Sequence, residues 1–205
     1  MVQGFLISTF LYLGITFTNV EAALPFKDQC VKWHNTYRIK HQVDPVTWDT
    51  SLAKGAEDWA KYLANNNLFQ HAPNIQAGEN LYWSANKPDE PCTAATKAFY
   101  GEVKYYDFNK PGFSKNTGHF TQVVWKNTKQ IGAAQATRKD GKLVVVIRYS
   151  PPGNFVSKTA FMKNVLPVQE GTVPPPHAGG PGQMCCCLVC KLLMSFVAMA
   201  LNFCF

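Results

Sequence analysis

Two histidines and two glutamates are the residues of this chain with the clearest capacity for chemistry: His71, Glu79, Glu102 and His119. Imidazole nitrogens are ligands for zinc or copper, and a carboxylate can orient a histidine or deprotonate a bound water. The two histidines are far apart in the sequence, and the chain contains no His-Glu-x-x-His motif. Their spacing alone therefore favours four separately hydrogen-bonded residues, with one shared site as the alternative.

Glu102 is the most unusual of the four because of the helix that should carry it. The apolar pattern predicts a helix from Thr93 to Tyr106, with Ala95, Phe99, Glu102 and Tyr106 on one face. An unpaired carboxylate on a buried face is costly. We therefore expect Glu102 to have a partner in the folded protein.

Further helices are predicted before and after this one. The first runs from near Asp28 to His41, and the second follows Asp49, whose side chain can cap it. The second helix carries one apolar stripe, formed by Leu52, Ala56, Trp59, Ala60 and Leu63. A short helix is expected over His119–Trp125.

The second half of the chain predicts a β-hairpin. Two apolar runs, Gln130–Arg138 and Leu143–Tyr149, flank Asp140-Gly141, and Asp-Gly between such runs is a strong turn signal. Val144–Ile147 shows no polar alternation, so we expect this strand to be covered on both faces. Helices followed by such strands indicate helices packed against an antiparallel sheet, which is an α+β sandwich.

The composition indicates one folded domain with additional segments. The chain has 205 residues, of which 46% are hydrophobic and 16% charged, and its net charge is +7. These values exclude a disordered chain, collagen, a coiled coil and a multi-span membrane protein. The positive charge permits an anionic partner such as a membrane surface, and nucleic acid is not an expected partner.

The apolar residues are concentrated at the two ends. Phe5–Phe17 is uncharged and has the length of a signal-peptide core, so residues 1–22 are predicted to be a signal peptide. An uncleaved anchor or a buried helix is the alternative. The folded body is then expected over residues 24–166, followed by a linker rich in proline and glycine at residues 167–183.

Residues 184–205 form an apolar, cysteine-rich tail with three interpretations. The tail fits a lipid-anchor attachment signal, a membrane anchor whose cysteines could be palmitoylated, or a sequence end without a structural role. Only Cys30 and Cys92 lie outside it, so the body can contain at most one disulfide.

Four short motifs occur in order along the body: His34-Asn35-Thr36-Tyr37-Arg38, Gly78-Glu79-Asn80-Leu81, GHFTQVVW at residues 118–125 and YSPPGN at residues 149–154. Together they closely resemble the CAP superfamily, which includes cysteine-rich secretory proteins, insect venom antigens and plant pathogenesis-related proteins. The last two motifs are highly specific, and the resemblance covers about residues 27–164. Two cysteines that are usual in secreted relatives are absent, which is similar to the Golgi-associated branch of the superfamily.

The resemblance implies a three-layer α-β-α sandwich with a central antiparallel sheet and a large cleft. In relatives the cleft contains two histidines and two glutamates, which correspond here to the four residues named above. The histidines of relatives can hold zinc, so the resemblance implies His71 and His119 as metal ligands and Zn²⁺ as the candidate cofactor. Glu79 and Glu102 are the expected catalytic residues if the protein is an enzyme.

The segment Tyr105–Phe113 is the other candidate binding region. Its four aromatic residues surround Pro-Gly, which is typical of a surface segment that contacts lipid or a partner. The matching loop of fungal relatives is implicated in sterol binding, and the resemblance implies ligand contacts through Tyr106, Asp107, Phe108, Pro111, Gly112 and Phe113. The alternative is that these aromatic side chains only cover the neighbouring helix.

Three functions are consistent with the sequence. We favour the binding of a sterol or other small lipid, with a divalent metal in the His/Glu cleft. The second function is a metal-dependent or His/Glu-dependent hydrolase, with Ser84 or a zinc-bound water as the nucleophile. The third is a defence or interaction protein with an idle cleft. In each case we expect entry into the secretory pathway, followed by secretion or membrane anchoring through the tail, and a homodimer is compatible with all three.

Overall fold

The computed structural model describes residues 23–155 and 157–169. The expected signal peptide, most of the expected linker and the apolar tail lie outside these residues. None of the helices in the described part combines the length and the apolar character that crossing a bilayer demands. The elements are, in chain order, α1 (Phe26–Lys40), β1 (Thr47–Trp48), α2 (Thr50–Asn66), β2 (Gly78–Ser84), α3 (Pro91–Tyr100), a 3-10 helix (Gly101–Tyr105), α4 (Gly118–Val123), β3 (Gln130–Thr137), β4 (Leu143–Ser150) and α5 (Lys158–Asn164).

The strands of the described chain form one sheet in the order β1-β3-β4-β2. β4 pairs antiparallel with β2 on one side and with β3 on the other. β1 is only two residues long and pairs parallel with the start of β3. The sheet is therefore antiparallel, as expected, apart from this short edge strand.

Helices cover both faces of the sheet and so produce three layers. On one face, Ala60 and Leu63 of α2 pack with Val144 and Val146 of β4. On the other face, α1, α3 and α4 contribute to a larger cluster that includes Cys30, Phe99, Phe120, Ile147 and Tyr149. Because the whole of Val144–Ile147 is buried, the expectation of a strand covered on both faces is confirmed, and the fold is the expected α-β-α sandwich.

Local signals in the sequence set the ends of α2 and the hairpin turn. The Asp49 carboxylate accepts a hydrogen bond from the Leu52 N–H at 2.7 Å and so caps the start of α2. Asn67, with a φ of 58°, ends the helix in the left-handed conformation. Gly141 has a φ of 82°, which glycine adopts at little cost, and it closes the turn between β3 and β4.

The third helix differs from its prediction. The pattern predicts one continuous helix over Thr93–Tyr106, but α3 ends at Tyr100 and a 3-10 helix continues to Tyr105. Gly101, a weak helix former, stands at the change. Glu102 therefore leaves the α-helical face that a continuous helix would share with Phe99.

Cys30 and Cys92 form a disulfide between α1 and α3. Both side chains are fully buried. The bond therefore joins two helices of the same layer inside the core, and it answers the question of pairing that the sequence left open.

Candidate functional site

The four chemistry-bearing residues form two His–Glu pairs. The Nδ1 atom of His71 donates to Oε1 of Glu79 at 3.0 Å, and the Nδ1 atom of His119 donates to Oε1 of Glu102 at 2.6 Å. Because an ionised carboxylate only accepts hydrogen bonds, each neutral imidazole carries its proton on Nδ1 and a lone pair on Nε2. The structure thus brings each histidine to a carboxylate from a different part of the chain.

Glu79 lies at the start of β2, and its side chain is only 2% exposed. Its Oε1 atom also accepts from the Ala72 N–H at 3.0 Å, and its Oε2 atom accepts from Nε of Arg148 at 3.4 Å. The charge of this buried carboxylate is therefore paired, as burial requires. His71, by contrast, has 63% of its side chain exposed, so its ring presents Nε2 toward solvent.

The Arg148 side chain lies against α2 at Gly55, where only a glycine leaves enough space. A Cβ atom at Gly55 would lie 2.4 Å from Nη1 of Arg148, a distance that real Cβ atoms essentially never show. Gly55 therefore stands in the middle of α2, where glycine is unfavourable, because the guanidinium passes over it. Neither residue was predicted from the sequence, and the signal for Arg148 was its position directly before the YSPPGN motif.

Glu102 holds the start of α4 as well as His119. Its Oε2 atom accepts from the backbone N–H groups of His119 and Phe120 at 3.0 and 3.1 Å. A carboxylate at this position satisfies N–H groups that a helix leaves free at its start. The His119 ring also stacks on Phe99, with 4.7 Å between ring centroids. The expectation that Glu102 has a partner is confirmed, and the partner is the start of α4.

A buried chain of hydrogen bonds connects β2 to the His119 backbone. Asn80, next to Glu79, donates through Nδ2 to the His119 carbonyl and to the Tyr149 hydroxyl, both at 3.1 Å. The Tyr149 hydroxyl donates to Nε2 of His34 at 3.0 Å, because Nδ1 of His34 donates to the Cys30 carbonyl at 2.8 Å. Burial lowers the pKa of His34 to about 4, so this imidazole is neutral in the folded protein.

The described residues include candidate metal donors but not a complete set of ligands. Within the described ranges, no group of three or more His, Cys, Asp or Glu side chains is arranged to hold a metal ion. His71 and His119 nevertheless have the arrangement typical of metal-ligating histidines, in which a carboxylate holds one ring nitrogen and leaves the other available. Each Nε2 atom is a suitable donor for zinc, and a complete coordination shell would need further ligands from solvent or a bound molecule.

The segment Tyr105–Phe113 divides into a buried and an exposed part. Tyr106 and Phe108 pack against Phe120, with ring centroids 5.5 and 6.3 Å apart, respectively. Tyr105 and Phe113 are 65% and 51% exposed.

The other three residues of this segment that were expected to bind a ligand are more exposed than Tyr106. Asp107 is exposed and accepts from the Asn109 N–H at 2.9 Å, while Pro111 and Gly112 are half-buried. Of the six residues expected to bind a ligand, Phe113 is the aromatic one that faces solvent. Tyr105, which was not among them, is the second exposed aromatic side chain of the segment.

Ser84 does not belong to the His/Glu site. It lies at the other end of β2 from Glu79 and pairs with Leu143 near the hairpin turn. Five residues of extended strand separate Ser84 from Glu79 by roughly 17 Å. The serine therefore cannot act as a nucleophile beside this carboxylate.

Comparison with known proteins identifies the family. The CAP model, described as the cysteine-rich secretory protein family, matches residues 31–149. The chain is 40% identical to human Golgi-associated plant pathogenesis-related protein 1, over 73% of this chain and 98% of that protein. It is 34% identical to pathogenesis-related protein 1C of Nicotiana tabacum, over 78% of this chain and 95% of the relative.

Solved structures support the fold. NaASP2, solved with Zn²⁺, superposes with a TM-score of 0.57 at 22% identity, covering 71% of this chain and 86% of NaASP2. BmVAL-1 superposes with a TM-score of 0.58 at 21% identity, covering 76% of this chain and 88% of BmVAL-1. At these identities the likeness concerns the fold alone. From the family match and the similarity to the two pathogenesis-related proteins, we conclude that the chain belongs to the cysteine-rich secretory protein (CAP) family.

Proposed function

We propose that this CAP protein binds a sterol or another small lipid at a membrane surface through the Tyr105–Phe113 segment. The observation that carries the proposal is the exposure of Tyr105 and Phe113, at 65% and 51%, from a segment that Tyr106 and Phe108 attach to the core. Exposed aromatic rings with an apolar body are suited to the boundary between water and lipid.

The charge around these two rings supports the same function. Lys104, Lys110 and Lys115 are exposed within or beside the segment. Each lysine near an anionic membrane contributes about 1 kcal/mol of attraction. The packing of Tyr106 and Phe108 on Phe120 would hold the segment in a fixed shape while the exposed rings contact the lipid.

Binding of radiolabelled cholesterol to the full chain, with unlabelled cholesterol as competitor, tests this proposal. We expect the double variant Tyr105→Ser/Phe113→Ser to bind at least tenfold more weakly than the wild type. Trp83→Ser is the matched control, because Trp83 is a similarly exposed ring, at 49%, on β2. Equal loss in the control, or no loss in the double variant, would contradict the role of this segment.

Binding of a divalent metal ion such as zinc is a second candidate function. The two carboxylate-held histidines favour it, and NaASP2 is a structural relative that was solved with Zn²⁺. Bound zinc would supply Lewis acidity to a ligand in its open positions. Hydrolysis is the weaker alternative, because the carboxylates of Glu79 and Glu102 are each occupied by hydrogen bonds from three protein groups.

Equilibrium dialysis with zinc chloride and metal analysis of the full chain tests the second candidate. We expect His71→Ala and His119→Ala each to lower zinc affinity by at least tenfold. His177→Ala is the control, since His177 lies in the expected linker, outside the described residues. Zinc binding that is unchanged in both single variants would exclude this site as the metal centre.

We also infer that the protein enters the secretory pathway, as its N-terminal sequence indicates. N-terminal sequencing of the chain expressed in eukaryotic cells should find a mature start next to Ala22. A mature chain that retains Phe5–Phe17 would contradict cleavage.

A further inference from the structure

Helix α5 and the chain just before it expose apolar and basic side chains together. Phe155 and Met162 are 56% and 58% exposed. Lys158 and Lys163 of α5 are exposed as well. Lys158 and Met162 are four positions apart, so they lie on the same side of the helix. These four residues form a surface that we call the α5 face.

Contacts with the chain that follows α4 hold α5 in a defined position. Phe161 of α5 is fully buried and packs edge-on against Trp125, with 5.2 Å between the ring centroids. The Asn164 carbonyl accepts from the Lys126 N–H at 3.0 Å, and Oδ1 of Asn164 accepts from the Asn127 N–H at 3.0 Å. The exposed side chains of the α5 face are therefore carried by a helix that is anchored to the core.

The α5 face lies in a basic part of the chain. Between positions 108 and 169 the sequence contains one acidic residue, Asp140, which lies in the hairpin turn at the far end of β4 from α5. In the described part of the chain, neither Lys158 nor Lys163 forms an ion pair. Their positive charges therefore remain available to an anionic partner.

The α5 face adjoins the Tyr105–Phe113 segment at Gly118, the first residue of α4. A Cβ atom at Gly118 would lie 3.1 Å from the Phe113 ring, so this ring packs directly on the glycine. The Gly118 carbonyl accepts from Nδ2 of Asn154 at 2.8 Å, and Phe155 follows Asn154 in the chain. The exposed rings of Phe113 and Phe155 are therefore both close to the same residue of α4.

We propose that the α5 face is a second membrane contact and that it binds anionic lipid headgroups. The inference rests on the proposed function, because a bilayer that contacts Phe113 extends over the neighbouring Phe155. The side chains of Phe155 and Met162 would enter the boundary between headgroups and acyl chains. The two lysines would keep their ammonium groups in water, at the level of the lipid phosphates. Because lysines add attraction where the membrane surface is negative, the partner is a bilayer that contains anionic lipid.

Binding of the full chain to vesicles free of cholesterol tests the proposal. One set of vesicles contains phosphatidylcholine alone, and the other also contains phosphatidylserine. We expect the wild type to bind the anionic vesicles at least tenfold more tightly. Lys158→Gln/Lys163→Gln should lose at least tenfold of this preference. Phe155→Ser/Met162→Ser should bind the anionic vesicles at least tenfold more weakly than the wild type.

Lys87→Gln and Trp83→Ser are the matched controls, because both residues are exposed and far from α5. They lie near the start of β4, where Trp83 pairs with Val144 and Lys87 lines a cavity together with Leu143. Helix α5 instead follows the end of β4. The thermal unfolding midpoint shows whether each variant is folded, and the apolar tail is common to all variants.

Amide exchange of the full chain on anionic vesicles should slow at Lys158–Asn164. The proposal is overturned if both α5-face variants bind anionic vesicles like the wild type, or if the amides of α5 exchange equally with and without vesicles. Failure of the proposed function gives a different result. Cholesterol binding would then persist in Tyr105→Ser/Phe113→Ser, while the two α5-face variants would still lose vesicle binding.

Discussion

At the scale of single residues, each histidine of the site is held by a carboxylate that is itself held. Glu79 is bound by Arg148 and by the Ala72 N–H, and Glu102 is bound by two N–H groups of α4. Such outer contacts fix the tautomer and orientation of a potential ligand histidine. The availability of the two Nε2 atoms to a metal ion therefore depends on residues that would not contact that ion.

Arg148→Met tests the importance of the pair that Arg148 forms with Glu79. The carboxylate is 2% exposed and the arginine 14%, so removal of one partner leaves a buried charge without compensation. We expect a loss of about 3 kcal/mol in the free energy of unfolding, measured in urea. Glu79→Gln should cost less in the Arg148→Met background than in the wild type. Additive losses would show that the two side chains do not interact.

His34 should make the folded state sensitive to acid. Its pKa falls from 6.5 to about 4 on folding, because burial disfavours the charged ring. The unfolded chain then binds a proton as the pH falls below about 6.5, while the folded chain does not until about pH 4. Stability should therefore decrease by about 3 kcal/mol across that range.

His34→Gln should flatten this part of the pH profile of the unfolding free energy. His41, whose pKa burial also lowers, would retain a smaller slope of the same sign. A variant with the same slope as the wild type would contradict the assignment to His34.

The sequence identified the chemistry-bearing residues but not all of their contacts. The motifs around Glu79 and His119 predicted a shared His/Glu region. The bond between Glu79 and Arg148 joins neighbouring strands, and no local pattern reports which residues of two strands face each other. Arg148 and Gly55 consequently emerged only from the structure.

At the scale of elements, Glu102 makes the start of α4 depend on the 3-10 helix after α3. α4 is only six residues long and has no side-chain cap from its own N-cap residue, Thr117. A helix this short is unstable without outside support. The position of His119 therefore follows from a contact between two elements.

Glu102→Ala should expose this dependence. We expect a loss of about 2 kcal/mol in unfolding free energy and faster amide exchange at His119 and Phe120, whose N–H groups lose their acceptor. Glu90→Ala is the control, since Glu90 precedes α3 without making a side-chain cap. Unchanged exchange at both amides would show that Glu102 does not hold α4.

Elements with local signals were predictable, and those that depend on tertiary contacts were not. The Asp49 cap and the Gly141 turn are properties of a few adjacent residues, so α2 and the hairpin matched expectation. β2 carries a motif without regular alternation of polar and apolar residues, and its strand conformation results from pairing with β4. The change to a 3-10 helix at Gly101 likewise could not be predicted from the apolar pattern.

At the scale of the whole molecule, one disulfide connects two distant parts of the chain. Cys30 and Cys92 are separated by 62 positions. Closing a loop of that length in the unfolded chain gives about 4 kcal/mol of stabilisation in the chain-entropy model. The disulfide should therefore supply a large part of the stability of a domain of this size.

The double variant Cys30→Ala/Cys92→Ala should lose about that amount of unfolding free energy in urea. A reducing agent should destabilise the wild type and leave the double variant unchanged. If both proteins have equal stability under oxidising conditions, the bond makes no contribution to the fold.

Photoaffinity labelling would locate the lipid that we propose to bind at the exposed part of the Tyr105–Phe113 segment. A photoactivatable cholesterol would be cross-linked to the full chain, and the labelled peptide identified by mass spectrometry. We expect the label within Tyr105–Phe113, competed by unlabelled cholesterol and reduced at least tenfold in Tyr105→Ser/Phe113→Ser. Label confined to other parts of the chain, or equal labelling of the wild type and the double variant, would show that lipid does not bind at this segment.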